Sequence, residues 1–350
     1  VLPDGKRRTL YGKTRQDAAD KLRAAQAATR SGQPIPSRKV TLAAFIRHWQ
    51  NDVLTQRVRI STFDRYDRDL RLHILPKLGS IKLAELTPQK IQMFLNGLTT
   101  EGMGPRGVAH CRAVLRSALQ QALREGLLGL NAAKLVTIPR QTKKKVTALT
   151  PEDARAILDA FAGHDLEALV TFALASGARQ GECLGLLWSD IDFEAGTVTI
   201  ARQLQRLRGE YVLVDLKTER SRRTLALPAV ATEALRAHRA RQAERRLLLG
   251  HSWQVTGCVF TGVTGGYLNG STVTHAFRAR LKAKGLPVRS FYSLRHGAAS
   301  LLLARGANLR TIMEQLGHSQ IALTADTYTH IAPVVLRDAA DRLNDALSAR

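Results

Sequence analysis

Apolar residues recur with a helical period along most of this chain and switch to strict alternation in one place. In TLAAFIRHWQNDVL, Leu42, Phe45, Ile46, Trp49 and Val53 return every three or four residues, so the spacing predicts a helix capped by Thr41. STFDRYDRDLRLHILPKLG predicts a second helix, opened by Ser61. Thr87-Pro88 predicts the start of a third, with proline at the first helical position, where its missing N–H has no partner to lose. GPRGVAHCRAVLRSALQQALREGLLG predicts a fourth, with Arg106, Arg112, Arg116 and Arg124 beside its apolar stripe. Ahead of these, VLPDGKRRTLYG has strand-turn character around Asp4-Gly5, and TRQD opens a helix that runs to about Arg30.

Beyond the fourth helix, Thr150-Pro151-Glu152-Asp153 combines an N-cap, a first-turn proline and first-turn acids. DLEALVTFALASG is apolar almost all round, which predicts a buried helix. After Asp190-Ile191-Asp192 the period becomes alternating. GTVTIARQLQ, EYVLVDL and RRTLALP predict three antiparallel strands, with turns at Arg208-Gly209-Glu210 and Lys217–Ser221. Helices return over 229–250 and 271–284, and Val335, Ala339, Leu343 and Leu347 fall on one face of a short terminal helix. SGQPIPSRK and VTIPRQTKKKVT read as linkers. The fold class expected is mainly α with a small antiparallel β-sheet, in segments 1–36, 37–135, 136–147, 148–335 and 336–350.

Charge narrows the function. The 350 residues carry 53 Lys and Arg against 29 Asp and Glu, a net charge of +24. The excess is spread along the chain, as suits a protein that wraps a polyanion and releases its counterions. On that reading the arginine-bearing fourth helix, whose cations lack acidic partners one turn on, faces DNA. The basic linker 136–147 would cross a DNA backbone. Ribosomal and chromatin proteins share this balance but rarely carry so much periodic apolar sequence. Cys111, Cys183 and Cys258 are far apart with no CxxC, which points away from a disulfide framework or zinc site and towards a reducing cytoplasm. No apolar run reaches the roughly 18 residues of a membrane span, and no signal peptide is read. The chain opens at Val1 without an initiator Met, so an N-terminal portion is expected to be missing.

The candidate chemistry concentrates late in the chain. RHGAASLLLARGANLRTIMEQLGHSQIALTADTYTH offers a fixed cation at Arg295, a titratable ring in a Gly-His-Ser turn at His318, and the phenol of Tyr328. An arginine, a histidine and a tyrosine suffice to clamp a phosphodiester, stabilise its extra charge and attack it. Taken singly, each has a plainer role: Arg179 as a helix C-cap cation, Glu182 as a surface carboxylate, Tyr328 at a helix end. Four places line up, however: Arg179 in SGARQGECLGLLWSDID, Lys217 in LKTERSRRTLALP, Arg295 in FYSLRHGAAS, and His318 with Tyr328 in LGHSQIALTADTYTH. In this order they resemble the tyrosine recombinases, the phage-integrase family of site-specific DNA recombinases, over the whole of 148–335. Arg220, Arg222 and Arg223 crowd the same stretch as Lys217 and compete with it for that position.

The resemblance implies a mixed α/β catalytic domain over 148–335, a helical core-site-binding domain over 37–135, and the trailing part of an arm-site-binding module at 1–36. It implies that Tyr328 is the nucleophile and that Arg179 and Arg295 stabilise charge on the non-bridging oxygens. Guanidinium suits that task because its planar fork binds two oxygens at once and does not deprotonate. Lys217 would protonate the leaving 5′ oxygen, and His318 would donate to the phosphate or help take the phenol's proton. A free tyrosine titrates near pH ~10, so the surrounding cations must favour the phenolate. Glu182 fits the position that orients the first arginine, and His296 a structural one. The family often carries His three residues before the second arginine; here Tyr292 stands there, a hydrogen-bond donor but a poor base. No cofactor, metal or nucleoside triphosphate is called for. The partners implied are double-stranded DNA with core-type and arm-type sites, a homo-tetramer on that DNA, and DNA-bending and directionality factors. The competing readings are a type IB topoisomerase and a DNA-binding regulator on an inactive scaffold; the full set of cations with the tyrosine, and the amphipathic tail, favour a recombinase.

Overall fold

The computed structural model describes residues 40–138, 149–216 and 221–317, with positions 14–16, 18, 19, 22, 23 and 348. Lys217, His318, Tyr328 and nearly all of the tail segment lie outside the described residues. The chain divides into two compact units, Val1–Lys144 and Lys145–Arg350.

In the first unit, α1 (Leu42–His48) begins where extended Thr41 accepts the Ala44 N–H on its hydroxyl at 3.2 Å. It continues through a π-helical stretch, Trp49–Leu54, into Thr55–Arg57. The helix α2 (Ile60–Asp69) starts one residue ahead of the expected Ser61, because Arg59 is the extended residue and Ser61 falls inside the first turn. The next two are α3 (Pro88–Thr100), capped by Thr87, and α4 (Pro105–Arg124). Their apolar faces meet at Phe45, Ile46, Ile91, Leu95 and Leu115, with Leu70 from the π-helical stretch Leu70–Ile74 that follows α2, all buried. Each such side chain contributes about 1.5–3 kcal/mol of burial free energy. Arg112 is not a free cation of the α4 face: its Nε donates to the Ala133 carbonyl at 3.2 Å and holds the turn after the helix. Beyond it, Val136 is buried, and Thr137 N–H donates to Gln92 Oε1 at 2.9 Å, seating the chain against α3.

The second unit opens with α5 (Pro151–Phe161), where Thr150 and Asp153 form a reciprocal capping box. Helix α6 (Glu167–Ser176) is buried from Ala168 to Leu174, as its all-round apolar sequence predicts. It packs against α5, the short α7 (Gln180–Leu184), the long α8 (Ala229–Leu249) and α10 (Ser293–Ala304). Between α8 and α10 lies α9 (Gly270–Ala283), whose Phe277 stacks on Phe161 at 5.3 Å; α11 (Leu309–Leu316) follows α10.

The strands differ from the expected three. GTVTIARQLQ does not form one strand: it divides at Ala201 into β2 (Thr197–Ile200) and β3 (Arg202–Leu207). A short β1 (Ile191–Asp192) and β5 (Arg223–Ala226) flank β2 in one antiparallel sheet, with Ile200 opposite Arg223. β3 pairs with β4 (Glu210–Asp215) as a separate hairpin. The break has a packing reason. β3 lies against the end of α7, and a Cβ at Gly185 would come within 2.7 Å of the Leu204 nitrogen. The bare glycine lets strand and helix touch backbone to backbone, so β3 leaves the sheet that β2 continues.

Candidate active site

The site grows from the end of α6. Gly177 stands in the left-handed region at φ 64°, and its N–H closes the helix on the Ala173 carbonyl. A Cβ at this position would meet Leu316 Cδ2 at 2.5 Å, so the chain crosses α11 with no room for a side chain. Ser176 is buried and ties the corner, donating to the Phe172 carbonyl at 2.7 Å and accepting the Ala178 N–H at 3.2 Å. The chain then extends through Arg179 at the N-cap of α7, not at a helix C-cap.

Glu182, one turn into α7, is fully buried rather than a surface carboxylate. It accepts the Arg179 N–H at 3.0 Å and the Arg179 Nη1 at 2.7 Å. Its Oε2 also accepts Arg223 Nη2, from β5, at 2.9 Å. Burial pushes the Glu182 carboxyl up, but Arg223 and Arg179 together outweigh it and hold the group below the ordinary glutamate range. Arg295, from α10, is buried at 2 % exposure. Its Nη1 donates to the Gly177 carbonyl and its Nη2 to the Leu316 carbonyl, both at 2.7 Å, while Nε has no partner among the described residues. Burial first, then the charge of Arg179, brings the Arg295 guanidinium down to about 10, so it remains a cation at neutral pH.

Of the residues singled out in the sequence, the structure brings Arg179, Glu182 and Arg295 together. Tyr292 sits at the N-cap of α10, half exposed, with its ring edge-on to His296 at 4.9 Å. His296 is part-buried, and burial and then Arg295 push its imidazole below the ordinary histidine range. The residue that sequence reasoning missed is Arg223, which had entered only as a competitor for the Lys217 position. Its signal was present: in RRTLALP, Arg223, Leu225 and Leu227 alternate onto the same buried face. Two guanidinium groups thus pair with one carboxylate, Arg295 stands close by on backbone carbonyls, and Arg179 keeps its side chain 39 % exposed. A strongly cationic, pre-set cluster with one accessible fork is suited to hold a phosphodiester and its developing charge.

Comparison with known proteins gives the site its class. Residues 147–334 match the phage integrase family, and residues 41–99 match the phage integrase N-terminal SAM-like domain. The chain belongs to the phage integrase family and is a tyrosine-type site-specific DNA recombinase. Across 97% of its length it is 31% identical to a tyrosine recombinase XerC-like protein of Caldanaerobacter subterraneus subsp. tengcongensis, of which it covers 92%. It is 30% identical, over 95% of its length, to an integrase of Streptomyces ambofaciens, of which it covers 88%. Among solved structures it shares the fold of the Tn1549 transposon integrase in complex with a circular intermediate DNA (TM-score 0.73, 18% identity, 87% of this chain and 100% of that one). It also resembles the lambda integrase tetramer bound to a Holliday junction (TM-score 0.61, 20% identity, 93% of this chain and 90% of that one).

Proposed function

We propose that this recombinase integrates and excises a mobile element through a 3′-phosphotyrosyl intermediate formed at the Arg179–Glu182–Arg295 centre. Tyr328 gives up its phenol proton with the help of His318 as its Oη attacks the scissile phosphorus, the bond from phosphorus to the 5′ oxygen breaks, and Lys217 gives that oxygen its proton. Arg179 and Arg295 stabilise the extra charge of the pentavalent state, a role in which one lost donor typically costs roughly 100–1000-fold in rate. Tyr292, one turn before Arg295, adds a donor to the same phosphate. The 5′ hydroxyl of a partner strand then attacks the phosphotyrosine and returns its proton to Lys217, the tyrosyl bond breaks, and the phenol recovers a proton with the help of His318. Bond energy is conserved through the covalent step, so the exchange balances without a triphosphate.

The observation that carries this reading is the buried carboxylate Glu182, which holds Arg179 in place within a cluster that also includes buried Arg295. Three further observations support its extensions. In the helical unit, Arg57, Arg116, Arg124 and Lys134 line a cleft of about 550 Å³ with Tyr66 and Gln120, which suits contact with a core-type DNA site. The lambda integrase relative was solved as a tetramer on a Holliday junction. In the second unit an apolar groove of about 310 Å³, lined by Leu158, Leu174, Val230, Ala298, Leu301 and Leu302, matches the amphipathic tail of a neighbouring subunit in chemistry. The segment 1–36 would bind arm-type sites, and DNA-bending and directionality factors would complete the assembly. No helix among the described residues is long and apolar enough to cross a membrane, in keeping with work on DNA in the cytoplasm.

The test is a suicide DNA substrate offered with a second recombination site. Covalent adduct together with exchanged strands is the expected result. Adduct and relaxation without exchange would assign a topoisomerase, and site binding without adduct would assign a regulator on an inactive scaffold.

A further inference from the structure

Arg223 is placed where a cation has little reason to be. It stands on β5, buried, opposite Ile200 and in phase with the buried Leu225 and Leu227. A hydrophobic residue of similar size would fill such a position without desolvating a charge. All three of its nitrogens are used, and each goes to a different part of the chain. Nη2 donates to Glu182 Oε2 at 2.9 Å, Nη1 to the Ser221 carbonyl at 3.0 Å, and Nε to the Gln315 carbonyl at 2.7 Å.

The three targets share one property. Glu182 holds Arg179; Ser221 follows Lys217 by four positions; Gln315 precedes His318 by three. The last contact is close: Gly317, at φ 64°, would place a Cβ 3.0 Å from Arg223 Nη1. Arg295 grips the same turn at the Leu316 carbonyl. The last turn of α11 is therefore held by two guanidinium groups at its carbonyl end, where the helix dipole favours cations.

We propose that Arg223 is a positioning residue for strand cleavage. Resting on the catalytic reading above, it fixes the Arg179–Glu182 pair and the chain beside Lys217 and His318 in one frame, without touching DNA itself. Only a planar fork with three separately aimed donors can do this; a lysine supplies a single point of charge. Small misplacement of catalytic groups is costly, since about 1 Å can lower a rate on the order of 100-fold.

The test uses the full chain, with Arg223→Lys as the main variant because it keeps a cation beside Glu182 and so preserves folding. Single-turnover cleavage of a suicide substrate is measured at saturating enzyme, alongside site affinity and a pH–rate profile. The expected result is affinity within about threefold of wild type and cleavage slowed roughly 10–100-fold. A second variant, Arg223→Met, removes the charge. The remaining charged groups around Glu182 are then Arg179 on its own helix and Arg295 from α10, and burial prevails more strongly. The acidic limb of the cleavage profile should move to higher pH, which loss of folded protein alone would not cause. Wild-type cleavage by Arg223→Lys, or a slowing that only tracks lost affinity or lost folded protein, would overturn the proposal. If wild type itself forms no adduct, the catalytic reading fails; if wild type cleaves and Arg223→Lys matches it, only the positioning role fails.

Discussion

The helical unit and the catalytic unit are both closed by apolar side chains, yet their buried polar groups differ in kind. In the helical unit, Asn131 donates to the Arg116 carbonyl at 2.9 Å and accepts the Ala133 N–H at 3.2 Å, fixing a turn. Asp69 is paired with His110 across α2 and α4. Each of these groups pins a local feature of the helical fold. In the catalytic unit, Glu182 pairs with Arg179 and buried Arg223, while buried Arg295 is held nearby by the Gly177 and Leu316 carbonyls with no carboxylate of its own among the described residues. Such an excess of cations destabilises a core unless an anion joins it. The contrast separates polar groups that pin a turn from groups that hold a cationic site in place.

The largest expected effect tests that separation. Glu182→Ala would leave Arg223 buried without its carboxylate, which should cost about 3–5 kcal/mol in the catalytic unit. Leu95→Ala would remove core volume from the helical unit at about 2–5 kcal/mol. Hydrogen exchange read peptide by peptide should show each loss confined to its own unit. Unchanged protection around α7 and β5 in Glu182→Ala would mean that the cluster is not held by its carboxylate.

A smaller loss is expected at Gly177→Ala. Left-handed strain and overpacking against Leu316 together predict about 2–4 kcal/mol. Denaturant unfolding measures it, and a loss under about 0.5 kcal/mol, the range of neutral surface changes, would show that α11 can shift away from this corner. Smallest and most specific is a dependence on acid. Glu182 has a depressed folded pKa, so its stabilisation is fully present above the ordinary carboxyl value of about 4.3 and is lost as pH falls through the folded value. Between pH ~7 and ~3, denaturation midpoints of the wild type should fall more steeply than those of Glu182→Gln; parallel curves would assign the acid sensitivity to other carboxylates.

Much of the local structure was legible in the sequence because it is set by neighbours along the chain. Thr41, Thr87 and Thr150 cap the helices they were read to cap, and the all-apolar α6 is buried. Arg179, Glu182 and Arg295 were found through motif order, and the structure joins them. What was not legible depends on long-range pairing. Nothing in GTVTIARQLQ says that the strand changes sheets at Ala201, since both halves alternate equally well; the switch is imposed by α7 packing at Gly185. Arg223 was obscured by the arginines beside it. Composition could not rank them, although the strand phase shared with Leu225 and Leu227 could have.

The most direct test of the central claim is to locate the covalent bond. Wild-type chain and Tyr328→Phe are trapped on a suicide DNA substrate, digested with protease and nuclease, and the nucleotide-bearing peptide is sequenced by mass spectrometry. Tyrosine-linked cleavage requires one modified peptide in the wild type, with the 3′-phosphate on Tyr328, and no adduct in Tyr328→Phe despite near-normal site binding. A phosphotyrosine at any other residue, or adduct formation by Tyr328→Phe, would contradict it.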